Sequence, residues 1–130
     1  DIIIGSHPHV IQDSETIDTG DRKVNVFYSL GNFLSNQSKQ TMGNSLTEDG
    51  AMIVLKIVKD NTSNEVSIED ITTIPTWVYK RKANGKYEYS ILPVEDAING
   101  DLAIELSQNV MDRLKKSYEN TFTKLNLYKN

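Results

Sequence analysis

Residues 1–10 read DIIIGSHPHV, an apolar run followed by a glycine and by a His-Pro-His tripeptide that holds both histidines of the chain. The continuous run of residues 2–4 predicts a strand buried on both faces, as in a parallel sheet. Open α/β sheets bind their ligands at the carboxyl ends of such strands, and two imidazoles at i and i+2 form a compact nitrogen pair. His7 and His9 are therefore candidate metal ligands, whereas the alternative is a polar turn that caps the strand.

The composition is that of an ordinary globular protein of 130 residues, the length of one domain. Its formal net charge of −4 argues against nucleic-acid binding, because nucleic-acid-binding domains usually carry a basic excess. The chain has no cysteine, which excludes disulfides and thiolate metal ligands. No apolar run approaches the roughly 18 residues typical of a membrane-spanning helix.

The first strand also suggests how the chain is organised. A buried parallel strand is normally fed by preceding βα units, and none precedes residues 2–4. We therefore expect residues 1–130 to form one C-terminal segment of a larger α/β domain, with strands and motif loops over residues 1–95 and a helix over residues 101–125. An apolar strand left exposed in this way is expected to drive self-association.

Two short strands and a polar loop are predicted after the histidines. Residues 10–17 could form a short strand, and residues 24–28, VNVFY, alternate, with both valines and Tyr28 expected on one face. A glycine turn follows at Gly31. Residues 35–49 are rich in Ser, Asn, Gln, Thr and Gly, which predicts a structureless loop of the kind that is usually functional or mobile.

Two further strands are predicted in the middle of the chain. Residues 51–58 give the clearest strand pattern of the sequence. Residues 66–74 also alternate, but the pattern changes register near Glu69-Asp70, which predicts a β-bulge. Pro75 has no backbone N–H, so it is expected to end this strand or to hold it at the edge of a sheet.

A basic hairpin is predicted next, because Asn84-Gly85 is the preferred pair for a tight turn between two alternating segments. Four basic residues cluster on it: Lys80, Arg81, Lys82 and Lys86. Such a patch could attract an anionic polymer. The alternative, which we favour, is a solvated hairpin tip whose charges prevent edge-to-edge pairing.

The last third of the sequence has the period of an amphipathic helix. Apolar residues recur every four positions, at Leu102, Leu106, Val110, Leu114 and Tyr118. Asp101 follows the helix breaker Asn99-Gly100 and is predicted to cap the helix. Its apolar stripe is expected to pack on the core, with a partner-binding face as the alternative. Residues 128–130 are expected to fray.

Two linked motifs give the sequence a family resemblance. GSHPHV at residues 5–10 is followed by YSLGNF at residues 28–33, and over residues 1–95 the chain resembles the bacterial poly-γ-glutamate capsule synthesis family, called CapA. Proteins of that family are similar to calcineurin-like metallophosphoesterases. The resemblance implies an α/β, β-rich fold: the C-terminal part of a metallophosphoesterase-like β-sandwich with flanking helices and one C-terminal amphipathic helix.

The resemblance also implies a metal centre. In that superfamily a closing Gly-x-His-x-His motif supplies ligands to two metal ions, and His7 and His9 match its histidines. The other ligand motifs of the superfamily, Asp-x-His, Gly-Asp and Gly-Asn-His, are not found here, and Phe33 stands where the last of them would have histidine. The resemblance thus implies a pair of Mn, Fe or Zn ions in the intact parent protein and at most weak metal binding by this chain.

The second motif adds three candidate residues that could support a metal ligand or bind substrate. Asn32 could orient a metal-bound histidine or bind a ligand, or could instead satisfy its own turn. Ser29 and Tyr28 are weaker candidates and are more readily explained as strand residues with polar tips. Three nearby carboxylates are interpreted as solvated turn residues rather than ligands: Glu15, Asp18 and Asp21.

The function implied by the resemblance is the synthesis or export of poly-γ-glutamate by an extracytoplasmic, membrane-associated protein. The implied partners are the missing N-terminal half, membrane proteins of the capsule synthase and the anionic polymer, with no nucleic acid. Two alternatives stay open: a dinuclear-metal phosphoesterase-like hydrolase, and a non-catalytic accessory that binds the polymer or the synthase. The YSLGNF motif disfavours a third, a phosphodiesterase unrelated to capsules.

Overall fold

The computed structural model describes residues 1–125, a strand-rich α/β chain with two three-stranded sheets and a C-terminal helix. The strands are β1 (Ile2–Ile4), β2 (Ser14–Asp18), β3 (Lys23–Phe27), β4 (Asp49–Lys59), β5 (Val66–Ala83) and β6 (Lys86–Pro93). The helices are α1 (Lys39–Met42), α2 (Val94–Asn99) and α3 (Gln108–Lys124), and Ser45–Glu48 form a short 3₁₀ helix. This confirms the α/β, strand-rich class predicted from the sequence. Within residues 1–125, no helix is both long enough and apolar enough to cross a membrane.

The first sheet has the order β1-β3-β2, with β1 parallel and β2 antiparallel to β3. The prediction that β1 is buried on both faces is wrong for this chain, because Ile3 and Ile4 are 55% and 53% exposed. The physical reason is that β1 is an edge strand, paired within the described residues only with β3.

The ends of β2 and β3 also differ from the prediction. β2 begins at Ser14 rather than at residue 10, and Ile11 instead forms an isolated bridge with Leu30. β3 ends at Phe27, so Tyr28 lies outside it and is exposed, whereas Val24 and Val26 are buried. The antiparallel contact nevertheless continues beyond both strands, because the Tyr28 N–H donates to Asp13 O at 3.2 Å, the next pair in the register of Ser14 with Phe27.

The second sheet has the order β4-β5-β6, and all its pairs are antiparallel. The predicted bulge is confirmed, because Lys56 pairs with Asp70 and Ile57 with Ile68, which leaves Glu69 as the extra residue. The predicted hairpin is confirmed as well. Asn84 and Gly85 have φ values of 50° and 78°, the positive values that a type I′ turn requires.

Pro75 does not end its strand, because β5 continues for eight residues beyond it, to Ala83. It is instead held at a local edge. Pro75 pairs with Ala51 of β4, and β6 pairs with β5 only from Thr76 onward. Proline is compatible with this position because only one neighbouring strand lies beside it.

The prediction of a structureless loop over residues 35–49 is wrong, because α1 and the 3₁₀ helix lie within it. The polar residues of this segment cap its own backbone. The Ser38 N–H donates to Thr41 Oγ1 at 2.9 Å, and the Leu46 N–H donates to Asn44 Oδ1 at 3.0 Å. Ser and Asn favour such local bonds, which is why a polar composition here still gives helical turns.

The predicted single helix over residues 101–125 is also wrong at its start. A separate helix, α2, ends at Asn99 and is capped by Gly100, whose φ is 81°, and α3 begins only at Gln108, after Ser107. Leu102 and Leu106 pack on the core from the intervening loop, so their spacing reflects packing without a helix. The predicted fraying of residues 128–130 lies outside the described residues.

Two apolar clusters form the core. The first lies between the two sheets and Leu125, the last described residue, and its members are Ile11, Phe27, Ala51 and Leu125. The second packs the β5-β6 hairpin against α2 and α3: Trp77, Leu92, Val94, Ala97 and Leu114. Each large side chain buried in this way contributes about 1.5–3 kcal/mol. The packing of α3 on the core confirms the predicted use of its apolar stripe.

Candidate functional site

The parallel pairing of β1 and β3 brings the two sequence motifs together. Residues 5–9 follow β1, residues 28–33 follow β3, and the carboxyl ends of parallel neighbours meet at the same edge of the sheet. The Gly5 N–H donates to Phe27 O at 2.7 Å, which continues the contact beyond the strands. The residues between the two motifs form β2 and β3, and this returns the chain to the side of β1.

Ser29 joins the two motif loops from a buried position, with 1% of its surface exposed. Its Oγ donates to Pro8 O at 3.0 Å and accepts from the Gly31 N–H at 3.2 Å. The Ser29 carbonyl accepts from the Gln12 N–H at 3.0 Å. Ser29 therefore fixes the backbone of the His-Pro-His tripeptide between the two histidines.

The central contact of the site joins His9 to Asn32. Asn32 Oδ1 lies 2.7 Å from His9 Nδ1, and Asn32 is 8% exposed. The Asn32 Nδ2 donates to Thr47 O at 2.8 Å, and this bond fixes which end of the amide faces the imidazole. An amide oxygen can only accept, so Nδ1 of neutral His9 carries the proton and Nε2 keeps its lone pair.

The loop that carries Asn32 is held by two glycines. Gly31 and Gly50 form an isolated bridge between this loop and the start of β4. A Cβ on Gly50 would lie 2.1 Å from Asn32 O, and a Cβ on Gly31, whose φ is 72°, would lie 2.5 Å from Asp49 O. Both positions need glycine because backbone approaches backbone more closely than a side chain allows.

Both motif loops lie within a stretch that matches a known protein family. Residues 1–37 match the family model described as bacterial capsule synthesis protein PGA_cap. The resemblance to the capsule synthesis family is thereby confirmed over these residues. Comparison with curated proteins and with solved structures finds no match. The matched stretch contains both motifs and runs from β1 to the loop after Asn32.

His7, the other histidine of the GSHPHV motif, is exposed. Its φ is 146°, a backbone region that residues other than glycine rarely adopt and that costs of order 1–3 kcal/mol. His9 is exposed too, although its ring is held by Asn32. The structure thus presents both imidazoles at the surface beside the same sheet edge.

Tyr28, from the YSLGNF motif, contacts a carboxylate rather than a histidine. Its phenol donates to Glu15 on β2, and this hydrogen bond, with the charge of Glu15, raises the pKa of the Tyr28 phenol. Asp18 accepts from the Gly20 N–H at 2.8 Å at the turn between β2 and β3. Asp21 is exposed in the same turn.

The four basic residues of the predicted patch do not act as one group. Arg81 pairs with Glu88 at 2.7 Å, on the sheet face opposite Lys80. Lys80 Nζ instead donates to Asn36 Oδ1 at 2.8 Å. Lys82 and Lys86 lie exposed toward the turn of the hairpin.

A second buried network supports the site and was missed from the sequence. Asp49 is 2% exposed and accepts from Arg113 Nη2 at 2.6 Å and from Asn120 Nδ2 at 2.9 Å. Its carbonyl accepts from the Asn32 N–H at 3.3 Å. The sequence signal was the acidic pair Glu48-Asp49 directly before Gly50 at the start of an apolar strand.

The two histidines offer imidazole nitrogens as possible metal ligands. Neutral imidazole nitrogens suit Mn, Fe or Zn ions, and the Nδ1–H form of His9 leaves the nitrogen that such ions need. Within residues 1–125, no group of three or more histidine, aspartate or glutamate side chains is placed to hold a metal ion. The described residues therefore offer two imidazoles but no complete set of metal ligands.

Proposed function

We propose that this protein acts in the synthesis or export of poly-γ-glutamate at the bacterial cell surface. We further propose that His7 and His9 are ligands in a metal centre of the metallophosphoesterase type. The family match over residues 1–37 supports the first part, because it covers both capsule motifs. The second part depends on one contact, that of Asn32 Oδ1 with His9 Nδ1 at 2.7 Å.

This contact is what a metal-ligating histidine needs. Such a histidine usually donates its second ring N–H to a fixed acceptor, which sets the tautomer and raises the basicity of the ligating nitrogen. Asn32 is buried and its amide is already fixed by Thr47 O, so it meets His9 without a further loss of side-chain entropy. An asparagine that served only its own turn would not contact the ring.

The role proposed for these residues is to hold and orient ligands. A bound pair of divalent ions would supply an activated water and would neutralise charge on phosphoester oxygens. His7 and His9 would hold the ions, Asn32 would set the tautomer of His9, and Ser29 would fix the loop between them. Further ligands would come from another segment of the protein.

The same proposal includes the larger fold, a metallophosphoesterase-like sandwich. The parallel pair β1–β3 supports it, because parallel strands are almost always covered on both faces, whereas Ile3 and Ile4 are half exposed here. A neighbouring strand and a covering layer would bury them. Interaction with membrane proteins of the capsule synthase would give the proposed association with the membrane.

A second candidate function is a non-catalytic accessory that binds the polymer. The observation that favours it is the absence, within residues 1–125, of a third His, Asp or Glu placed with the two histidines. In that function the metal would be structural or absent, and the binding surface would lie elsewhere.

The experiment replaces His7 and His9 with alanine, singly and together, in the intact protein of a capsule-producing bacterium. For the metal-centre proposal, we expect surface poly-γ-glutamate to fall at least tenfold and hydrolysis of a chromogenic phosphodiester with Mn²⁺ to be lost. In this chain alone, Mn²⁺ should broaden the ring NMR signals of His7 and His9 only at millimolar concentration. Normal capsule in the double variant would overturn the metal centre and favour the accessory function.

A further inference from the structure

A cleft of about 770 Å³ lies beside the second sheet, within the usual size range of ligand sites, roughly 300–1,000 Å³. β4 pairs with β5 only as far as Trp77, and the segment of residues 35–40 lies next to β5 beyond that point. The start of α3 closes the far side, with Asn109 and Arg113. Glu48 and Tyr89 complete the lining, so the cleft is built from segments that are distant in sequence.

One wall of the cleft carries a positive charge that is held only by neutral groups. Lys80 Nζ donates to Asn36 Oδ1 at 2.8 Å and lies 4.3 Å from the centre of the Tyr87 ring and 5.5 Å from that of Tyr89. Among the ion pairs of residues 1–125, none includes Lys80. The Tyr89 hydroxyl donates to the same Asn36 oxygen at 2.8 Å, so the ammonium is fixed in place without a counter-charge.

The carboxylate in the cleft wall is already engaged. Glu48 Oε2 accepts from Arg113 Nε at 3.1 Å and from Trp77 Nε1 at 3.3 Å, and Oε1 accepts from the Lys39 N–H at 2.9 Å. Lys39 also lines the cleft and, like Lys80, is in no ion pair among the described residues. The lining therefore includes two lysines with no carboxylate partner among the described residues, which favours an anionic occupant.

The remaining polar lining consists mainly of carboxamides, from Asn36, Gln37, Gln40 and Asn109. Carboxamides carry both a donor and an acceptor, so they complement the amide groups of a peptide-like chain. Gln37 also connects the cleft to the histidine site, because its Oε1 accepts from Asn32 Nδ2 at 3.4 Å. One end of a bound chain would thus lie next to the residue that holds His9.

We propose that this cleft binds an amide-linked chain of carboxylates, with Lys80 and Lys39 pairing with its carboxylate groups. Resting on the proposed function, the occupant is a short segment of γ-linked polyglutamate. Lys80 is then the part of the basic patch that binds polymer, and Arg81, which is paired with Glu88, is not. The cleft would position the polymer, while the chemistry would occur at the histidines.

The test uses Trp77, which lines the cleft and is the one tryptophan of the chain. A γ-linked glutamate oligomer, titrated into the full chain without metal, should change the fluorescence of Trp77 in a saturable way. Lys80→Gln should weaken binding about tenfold, as expected for the loss of a charge-assisted hydrogen bond. Lys39→Gln should weaken it severalfold.

Lys82→Gln is the matched control. Lys82 lies two residues from Lys80 on the same strand and face, and it carries the same charge but does not line the cleft. This variant should change binding less than twofold, with all three variants unfolding at the wild-type temperature. Equal weakening by Lys80→Gln and Lys82→Gln would overturn the proposal, because it would indicate diffuse attraction.

The choice of probe separates the possible ligands. The proposal is also overturned if inorganic phosphate or a neutral γ-linked glutamine oligomer gives the same response as the glutamate oligomer, or if Trp77 does not respond. The titration needs no metal, so its failure is distinguishable from failure of the metal-centre proposal. Loss of capsule in the His7 and His9 variants together with a silent Trp77 would leave the proposed function standing without this cleft.

Discussion

The N-terminal motif loops and the C-terminal helical unit bury different kinds of side chain. The motif loops bury Ser29 and Asn32, and the strand before them leaves Ile3 half exposed. The unit of β5, β6, α2 and α3 instead buries large apolar side chains, such as Trp77 and Leu114. The difference indicates that the motif loops bury polar groups around His9, whereas the helical unit buries large apolar side chains.

One side chain couples the two regions. Arg113, on α3, pairs with Glu48 at 3.1 Å and with Asp49 at 2.6 Å, and the Asp49 carbonyl accepts the N–H of Asn32. The geometry of the motif loop therefore depends on a helix that lies far away in the sequence. The following variants are chosen to separate the contributions of the two regions.

The largest effect is expected from breaking this coupling with Arg113→Met. Asp49, 2% exposed, would lose its cationic partner, and an uncompensated buried charge costs about 3–5 kcal/mol of unfolding free energy. Urea unfolding followed by circular dichroism measures this loss. The control is Arg81→Met, because the Arg81–Glu88 pair has side chains 52% and 46% exposed and should contribute less than about 1 kcal/mol.

If Arg113→Met and Arg81→Met were equally mild, the buried network would not be what couples the helix to the motif loop. The NMR signals of Asn32 sharpen the test. They should move in Arg113→Met, through Asp49, and stay in place in Arg81→Met.

The second largest effect is expected in the apolar cluster. Leu114→Ala removes a side chain with no exposed surface and should cost about 2–5 kcal/mol in unfolding free energy. Leu34→Ala, at a leucine that is 66% exposed in the motif region, should change it by less than about 0.5 kcal/mol. A comparable loss in both variants would mean that the motif region contains a leucine-dependent core as well.

The sequence predicted the parts of this fold that depend on local patterns. The hairpin turn at Asn84-Gly85 and the bulge at Glu69 follow from backbone requirements of single residues, and both are confirmed. The start of α3 could not be found in this way, because Leu102 packs on the same cluster from a loop as it would from a helix. The spacing of apolar residues predicts which residues face the core. It does not predict whether they do so from a helix or from a loop.

The candidate site was predictable only in its residue types. Two motifs singled out His9 and Asn32, but the contact between them depends on the parallel pairing of β1 and β3 and on Thr47 O, which fixes the amide. Asp49 and Arg113 were not found, because no local pattern links residues 64 positions apart. Long-range polar networks leave almost no trace in a single sequence.

A moderate effect is expected at the motif loop itself, from Asn32→Leu. The Thr47 carbonyl would lose its donor in a buried place, which costs about 1–3 kcal/mol, and the His9 Nδ1–H would lose its acceptor. The ring ¹⁵N shifts of His9 should show that the proton is no longer fixed on Nδ1. Gln37→Leu is the control, because it removes only a 3.4 Å contact with Asn32 and should leave the His9 shifts unchanged.

An Asn32→Leu variant whose His9 ring still carried its proton on Nδ1 would show that another group sets the tautomer. The motif loop would then not control the position of the proton on His9. It would differ from the helical unit only in the polarity of its buried side chains. Stability alone cannot decide this point, because both regions contain buried side chains whose replacement destabilises the fold.

The smallest effect is expected at Tyr28, which is exposed and donates its phenol hydrogen to Glu15. The hydrogen bond and the charge of Glu15 raise the pKa of Tyr28, so the protonated phenol is favoured in the folded state. The stabilisation from this hydrogen bond is therefore complete below the pKa of tyrosine in the unfolded chain, about 10. It is lost as the pH rises through the higher pKa of Tyr28 in the folded state.

Glu15→Gln removes the charge, so the pKa of Tyr28, followed by NMR of its ring carbons, should fall toward the ordinary value. Glu105→Gln makes the same change on the segment between α2 and α3 and should leave the Tyr28 titration in place. If both variants shifted it equally, the overall charge of the protein would set the titration, rather than the contact between β2 and the second motif. If only Glu15→Gln lowers the pKa of Tyr28, the contact with β2 holds Tyr28 at the surface. Tyr28 then lies on the outer side of the YSLGNF motif, whose residues Ser29 and Asn32 are buried.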